Sequence, residues 1–145
     1  MSLRSLAIFR TTIPDDTIED EVDIVQYGGR SVAEAIGSLL ERQGFEAEPP
    51  AYLGVKGWDF MVRGWGQTYW LQVSWIDEIY LLVEHRRSWL GVFQSALARS
   101  DRQLGDFLRL LDAELRRDPR FSDLLWHPRK GGRANDQGGY PSPTD

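Results

Sequence analysis

Residues 58–85 read WDFMVRGWGQTYWLQVSWIDEIYLLVEH. Three runs alternate with period two, the repeat of a strand with one face buried. Trp58, Phe60 and Val62 share a face. Tyr69, Leu71, Val73 and Trp75 share another, with Thr68, Trp70, Gln72 and Ser74 opposite. Ile79, Leu81, Val83 and His85 make the third set. The breaks between the runs are short, Gly64-Trp65-Gly66 and Asp77-Glu78. Connections of that length join antiparallel neighbours, so the stretch predicts a three-stranded meander.

Upstream, the period changes to that of a helix. Val32, Ile36, Leu39 and Leu40 form one apolar stripe, and Glu34, Ser38, Glu41 and Arg42 the wet face. Ser31 to Glu34 has the form of a capping box, with Ser31 at N-cap and Glu34 at N3. Gly44 stands where a left-handed C-cap belongs. Phe45 to Glu48 alternates briefly before Pro49-Pro50 stops it. Residues 3–10 read as a strand, with Leu6 and Ile8 on one face and Ala7 and Phe9 on the other.

Downstream, 86–99 reads as loop with a short helical turn. Ser100 to Gln103 has the form of a second capping box, opening a helix marked by Leu104, Phe107, Leu108, Leu111 and Leu115. Asp118-Pro119 ends it. Phe121–Trp126 reads as a final turn or an edge strand. The expected fold is therefore α+β: an antiparallel sheet of four or five strands with two amphipathic helices packed on one face. Residues 1–127 form a single domain, and 128–145 a Gly/Pro-rich tail read as loop.

The chain has 145 residues, the size of one domain. It contains no cysteine, which excludes disulfides, a cysteine nucleophile and thiolate metal sites. With two histidines, His85 and His127, a histidine-rich metal site is not expected either, and no cofactor is implied. No apolar run reaches the roughly 20 residues of a membrane span. The N-terminus lacks a signal-like segment, so the cytoplasm is the expected compartment.

Net charge is −5, unevenly spread. Residues 1–48 hold ten acids and four arginines, whereas 49–145 are nearly balanced. Asp15, Asp16, Glu19, Asp20, Glu21 and Asp23 fall within nine residues. A nucleic-acid binder needs the opposite field, so nucleic acid is not the expected partner, and the same balance opposes RNA stacking on the tryptophans. An acidic field steers basic proteins, while many such runs serve only as solvated loops.

Six tryptophans are a high count for this length. Trp70 and Trp75 point to opposite faces of one strand. One face packs under the helices, so the other exposes large aromatics unless a further segment covers it. Interfaces are enriched in Trp, Tyr and Arg, which makes Trp70, Tyr80 and Trp65 candidate anchors. His85 reads as structural, because no nucleophile or metal partner stands at a useful spacing. Asp59, Asp77 and Glu78 read as strand-end residues rather than a catalytic acid pair. Gly28-Gly29 matches no phosphate-binding fingerprint.

The run GGRSVAEAIGSLLERQGFE, followed by GWDFMVRG and TYWLQVSW, resembles a pattern in small acidic bacterial proteins. There a capped helix ends in Gly-aromatic and a Gly-Trp opens a sheet. Several such proteins are immunity proteins of polymorphic or contact-dependent toxin systems. The resemblance covers about residues 28–75 and implies a protein that binds and occludes a toxin domain. The long Gly/Pro tail is not part of that pattern.

The expected function is thus a non-catalytic binding module of immunity or antitoxin type. Asp15, Asp16, Glu19, Asp20 and Glu21 would steer the partner, and Trp65, Trp70 and Tyr80 would anchor it. The alternatives are a small acidic secretion-chaperone-like protein and a small enzyme with an unrecognised pocket. Whether the chain is a monomer or a dimer stays open.

Overall fold

Alternation at 58–85 becomes a meander of three long strands in the computed structural model, which describes residues 3–86, 94–129 and 138–145. Strands β1 (Leu6–Thr11), β2 (Ile18–Glu19) and β3 (Ile24–Gln26) precede helix α1 (Arg30–Arg42). Strands β4 (Glu46–Ala47), β5 (Ala51–Tyr52), β6 (Trp58–Gly64), β7 (Gln67–Trp75) and β8 (Ile79–Arg86) follow. Helix α2 (Gln94–Arg117) and strand β9 (Phe121–His127) complete the described elements. The main sheet is antiparallel, in the order β4-β6-β7-β8-β1-β9, with β5 also on β6. The fold class is α+β, as expected. The sheet reaches seven strands because Pro49-Pro50 splits one edge into the two-residue strands β4 and β5, and because 121–127 adds β9.

The periodicity places the core. Trp58, Phe60, Val62, Tyr69, Leu71, Val73, Ile79, Leu81 and Val83 are all buried, with Ala7 and Phe9 of β1 and Trp126 of β9 beside them. Over this face, α1 packs on β4, β6 and β7, and α2 on β8 and β9. Helix α1 contributes Val32, Ile36, Leu39 and Leu40, and α2 contributes Phe107, Leu108, Leu111 and Leu115. Each such side chain removed from water stabilises the fold by about 1.5–3 kcal/mol. Tyr69 stacks on Phe107 with ring centroids 3.9 Å apart.

The turn Gly64-Trp65-Gly66 forms as read. Trp65 (φ 57°) and Gly66 (φ 71°) both adopt positive φ, and Gly64 pairs with Gln67 across a two-residue loop. A Cβ on Gly64 would lie 2.1 Å from the Phe45 ring, so the glycine is what lets Phe45 pack there. Phe45 itself closes α1. Its N–H donates to Leu40 O and that of Gly44 (φ 92°) to Glu41 O, a Schellman motif with both apolar partners buried.

Both capping boxes are corrected. Gly29 is the N-cap of α1, and its side-chain cap arrives from the distant Asp16; Glu34 pairs instead with Arg30 at 2.8 Å. Ser100 is no N-cap, because α2 begins six residues earlier and Ser100 is buried within it. The loop reading of 86–99 yields to helix from Gln94; its part over 87–93, including Trp89, lies outside the described residues. Residues 138–145 lie against the domain. Tyr140 exchanges backbone hydrogen bonds with Trp126, Arg4 N–H donates to Pro143 O, and Pro143 and Thr144 are buried.

Candidate functional site

The acidic run folds as a two-stranded ribbon, β2 on β3. Its backbone explains the spacing of its acids. The Asp20 carboxylate accepts the Val22 and Asp23 amides, both at 2.8 Å, and shapes the tip. Those bonds hold its pKa below the usual carboxylate value. Asp15 accepts the Thr17 amide at 2.9 Å and hydroxyl at 2.6 Å. Glu19 and Glu21 are exposed.

Asp16 differs from its neighbours. It is half-buried, and its carboxylate accepts the Gly29 amide at 2.8 Å and the Ser31 amide and hydroxyl at 2.9 and 3.0 Å. Burial alone would raise its pKa; these bonds outweigh that and lower it. Asp16 is thus the cap of α1, satisfying amides that no intrahelical carbonyl reaches. Asp16 therefore has a structural role beyond the partner contact expected from the sequence.

The ribbon's base is tied at three further points. Tyr27 N–H donates to the Tyr52 hydroxyl, Trp58 Nε1 donates to Tyr27 O, and Gly28 bridges to Trp75. A Cβ on Gly28 would meet Thr17 Oγ1 at 2.6 Å, so a larger residue there would displace the Thr17 and Asp15 side chains. These ties bring the ribbon to the end of the sheet where β7 turns into β8. The short helical turn Gly54–Lys56 lies at the same end, since Lys56 O accepts the Ser74 hydroxyl at 2.6 Å.

Among the described residues, that end carries most of the exposed aliphatic side chains. Val22 is 93% exposed, and Ile18, Val25, Leu53, Val55 and Ile76 are also exposed. Asp77 and Glu78 stand in the adjoining β7–β8 turn. Exposed apolar side chains and acids thus share this end of the sheet.

The other sequence candidates separate. Tyr80 pairs with Ser74 and Ile8 near the ribbon end, on the sheet face away from the helices. Its hydroxyl donates to Glu78 at 3.3 Å, and burial with the nearby acids raises its pKa. Trp70 lies midway along β7, half-buried. Its Nε1 donates to Asp59 at 2.8 Å, and the Arg86 guanidinium sits 5.0 Å from its ring. Trp65 occupies the opposite end of β7 and packs edge-on against Phe45 at 5.0 Å. The eight residue steps along β7, at ~3.3 Å each, set its turn on the order of 25 Å from the ribbon end. Trp65, Trp70 and the ribbon therefore do not form one site. The aliphatic members of the acidic end were missed, because single exposed aliphatics have no period.

His85 has partners that its sequence neighbours did not suggest. Its Nδ1 lies 2.6 Å from Ser100 Oγ and its Nε2 2.7 Å from Gln67 Oε1, with Tyr69 stacked on the ring at 5.2 Å. The pair has nucleophile and base in reach. Ser100, however, is buried inside α2, where the neighbouring amides belong to the helix. The set joins α2 to β8 and β7. Among the described residues no three metal-ligating side chains cluster, and no helix is long and apolar enough to cross a membrane.

Compared with known proteins, the chain matches no family model, no curated protein and no solved structure.

Proposed function

We propose that this protein is a non-catalytic binding module of the immunity or antitoxin type, which docks a basic protein on the acidic end of its sheet. The observation that carries the reading is the capped ribbon. Its acids and its exposed aliphatics Ile18, Val22 and Val25 are fixed to the domain through Asp16, Tyr27 and Gly28. A surface held in place before contact loses little conformational entropy on binding. Glu19, Asp20 and Glu21 steer approach, and the aliphatics supply the desolvated contact. Tyr80 stays with this surface as an anchor, whereas Trp70 and Trp65 leave it.

The test is association kinetics with the captured partner. Glu19→Gln, Asp20→Asn and Glu21→Gln together slow association at low salt, and Val22→Ser speeds dissociation. Unchanged rates in both variants would remove the reading.

A further inference from the structure

Beside the ribbon end, a groove of about 750 Å³ opens on the sheet face away from the helices. Ile8 and Leu125 line it with Trp75, and its polar lining includes Asp77, Glu78, Asp123, Arg10 and His127. Its charge is unbalanced. Arg10 is the only arginine or lysine among the described lining residues, and it lies 3.8 Å from Asp123. Among the described residues no cation pairs with Asp77 or Glu78. Glu78 accepts the Tyr80 hydroxyl.

His127 is a separate observation. It is 7% exposed and lines the groove, yet among the described residues no side-chain hydrogen bond reaches its imidazole. Gly139 (φ 75°) closes one side of the ring, since a Cβ there would lie 2.7 Å from Cε1 and Nε2. Burial lowers the His127 pKa, against the opposing effect of the Glu78 charge. An imidazole nitrogen facing the groove can exchange a hydrogen bond with a ligand there.

We propose that this groove receives one basic side chain, arginine or lysine, of the protein partner, with its charged head between Asp77 and Glu78, its stem along Ile8 and Leu125, and His127 as a further hydrogen-bond group. This deepens the binding-module reading and rests on it for the source of the cation. Carboxylates and a long apolar wall match a guanidinium or ammonium on an alkyl stem, which carries both features. A small metal ion has no use for the apolar wall.

The test uses the full chain and needs no partner. N-acetyl-arginine amide is titrated while the His127 ring and the Asp77 and Glu78 amides are followed by NMR. The uncharged isostere N-acetyl-citrulline amide and the diamine putrescine are run beside it. Saturable shifts are expected with the arginine amide, weakened about tenfold in Asp77→Asn or Glu78→Gln and at least as much with citrulline, one charge-assisted contact being worth ~1.4 kcal/mol. Both variants change exposed turn residues, so they keep the fold. No saturable shift, or equal binding of citrulline, overturns the proposal. Putrescine binding at least tenfold tighter than the arginine amide also overturns it, in favour of a free polyamine. The groove and the wider reading fail separately. If both turn variants keep full partner affinity while losing the arginine amide, the groove is not part of the interface and the ribbon reading stands. If ribbon variants leave partner binding untouched, the ribbon reading falls whatever the titration gives.

Discussion

Asp16 and Ser31 stand 15 residues apart in sequence, and the carboxylate of the first accepts both the amide and the hydroxyl of the second, at 2.9 and 3.0 Å. With the Gly29 amide bound by the other oxygen, one side chain joins the acidic ribbon to the start of α1. The start of a helix and the placement of the acidic ribbon thus depend on the same carboxylate.

Asp16→Ala is expected to lower stability by about 1 kcal/mol, as for other lost N-caps. Glu19→Gln and Glu21→Gln, both exposed, should change it by less than ~0.5 kcal/mol. Urea unfolding of the three variants checks this. The pH dependence has a fixed sign. The Asp16 pKa is lowered in the fold, so its contribution is complete above the ordinary carboxylate value of ~4 and is lost as pH falls through the folded value. Asp16→Asn should flatten that acid limb, and an unchanged limb would show that the cap adds no stability.

Tyr69 sets the alkaline limit. Its phenol is pushed up to about 12 by burial, with the Asp106 charge adding to the effect. Unfolded tyrosine ionises near ~10. Stability is therefore full below that value and declines as pH rises from there through the folded value. Tyr69→Phe should reduce this decline, followed by circular dichroism against pH, with Tyr80, also raised, keeping a part of it. A decline of the same size in the variant would place its cause elsewhere.

Trp70 is expected to act on the fold rather than on the partner. Trp70→Ala removes a half-buried ring, its bond to Asp59 and its contact with Arg86, and should cost about 2 kcal/mol, below the 3–5 kcal/mol of a fully buried aromatic. Partner affinity of the folded variant should stay within twofold. A tenfold loss of affinity would return Trp70 to the interface.

Gly57 is a point where the backbone leaves no choice. It has φ 91°, and a Cβ there would lie 2.0 Å from the Val73 carbonyl oxygen. Gly57→Ala should destabilise by more than about 3 kcal/mol, since strain and overlap act together. Thermal unfolding reads the shift directly, and a loss under 1 kcal/mol would mean that the turn can move.

Much of the fold was legible because burial on one face imprints a period. Strands β6, β7 and β8, the stripe of α1 and the buried apolar residues Phe107, Leu108, Leu111 and Leu115 of α2 all carry that imprint. What was not legible depends on partners distant in the chain. Ser31 and Glu34 satisfied the local rule for a cap, but Asp16 reached the amide first. Ser100 also fitted a cap, yet the helix continues upstream and His85 takes its hydroxyl. Strands β2 and β3 are too short to show alternation. In the site, the acids were visible as composition. Their division into turn-forming Asp15 and Asp20, helix-capping Asp16 and open Glu19 and Glu21 was not, and neither was the groove between β1, β8 and β9, whose lining comes from four separate segments.

The most direct measurement is paired capture from the native host, with the wild-type chain and the Glu19→Gln/Asp20→Asn/Glu21→Gln variant as baits, washed at low and moderate salt and read by mass spectrometry. One stoichiometric basic protein is expected on the wild-type bait at low salt, lost as salt rises and strongly reduced on the variant. A partner held equally by both baits, or no stoichiometric partner on either, would contradict a docking role for the acidic end.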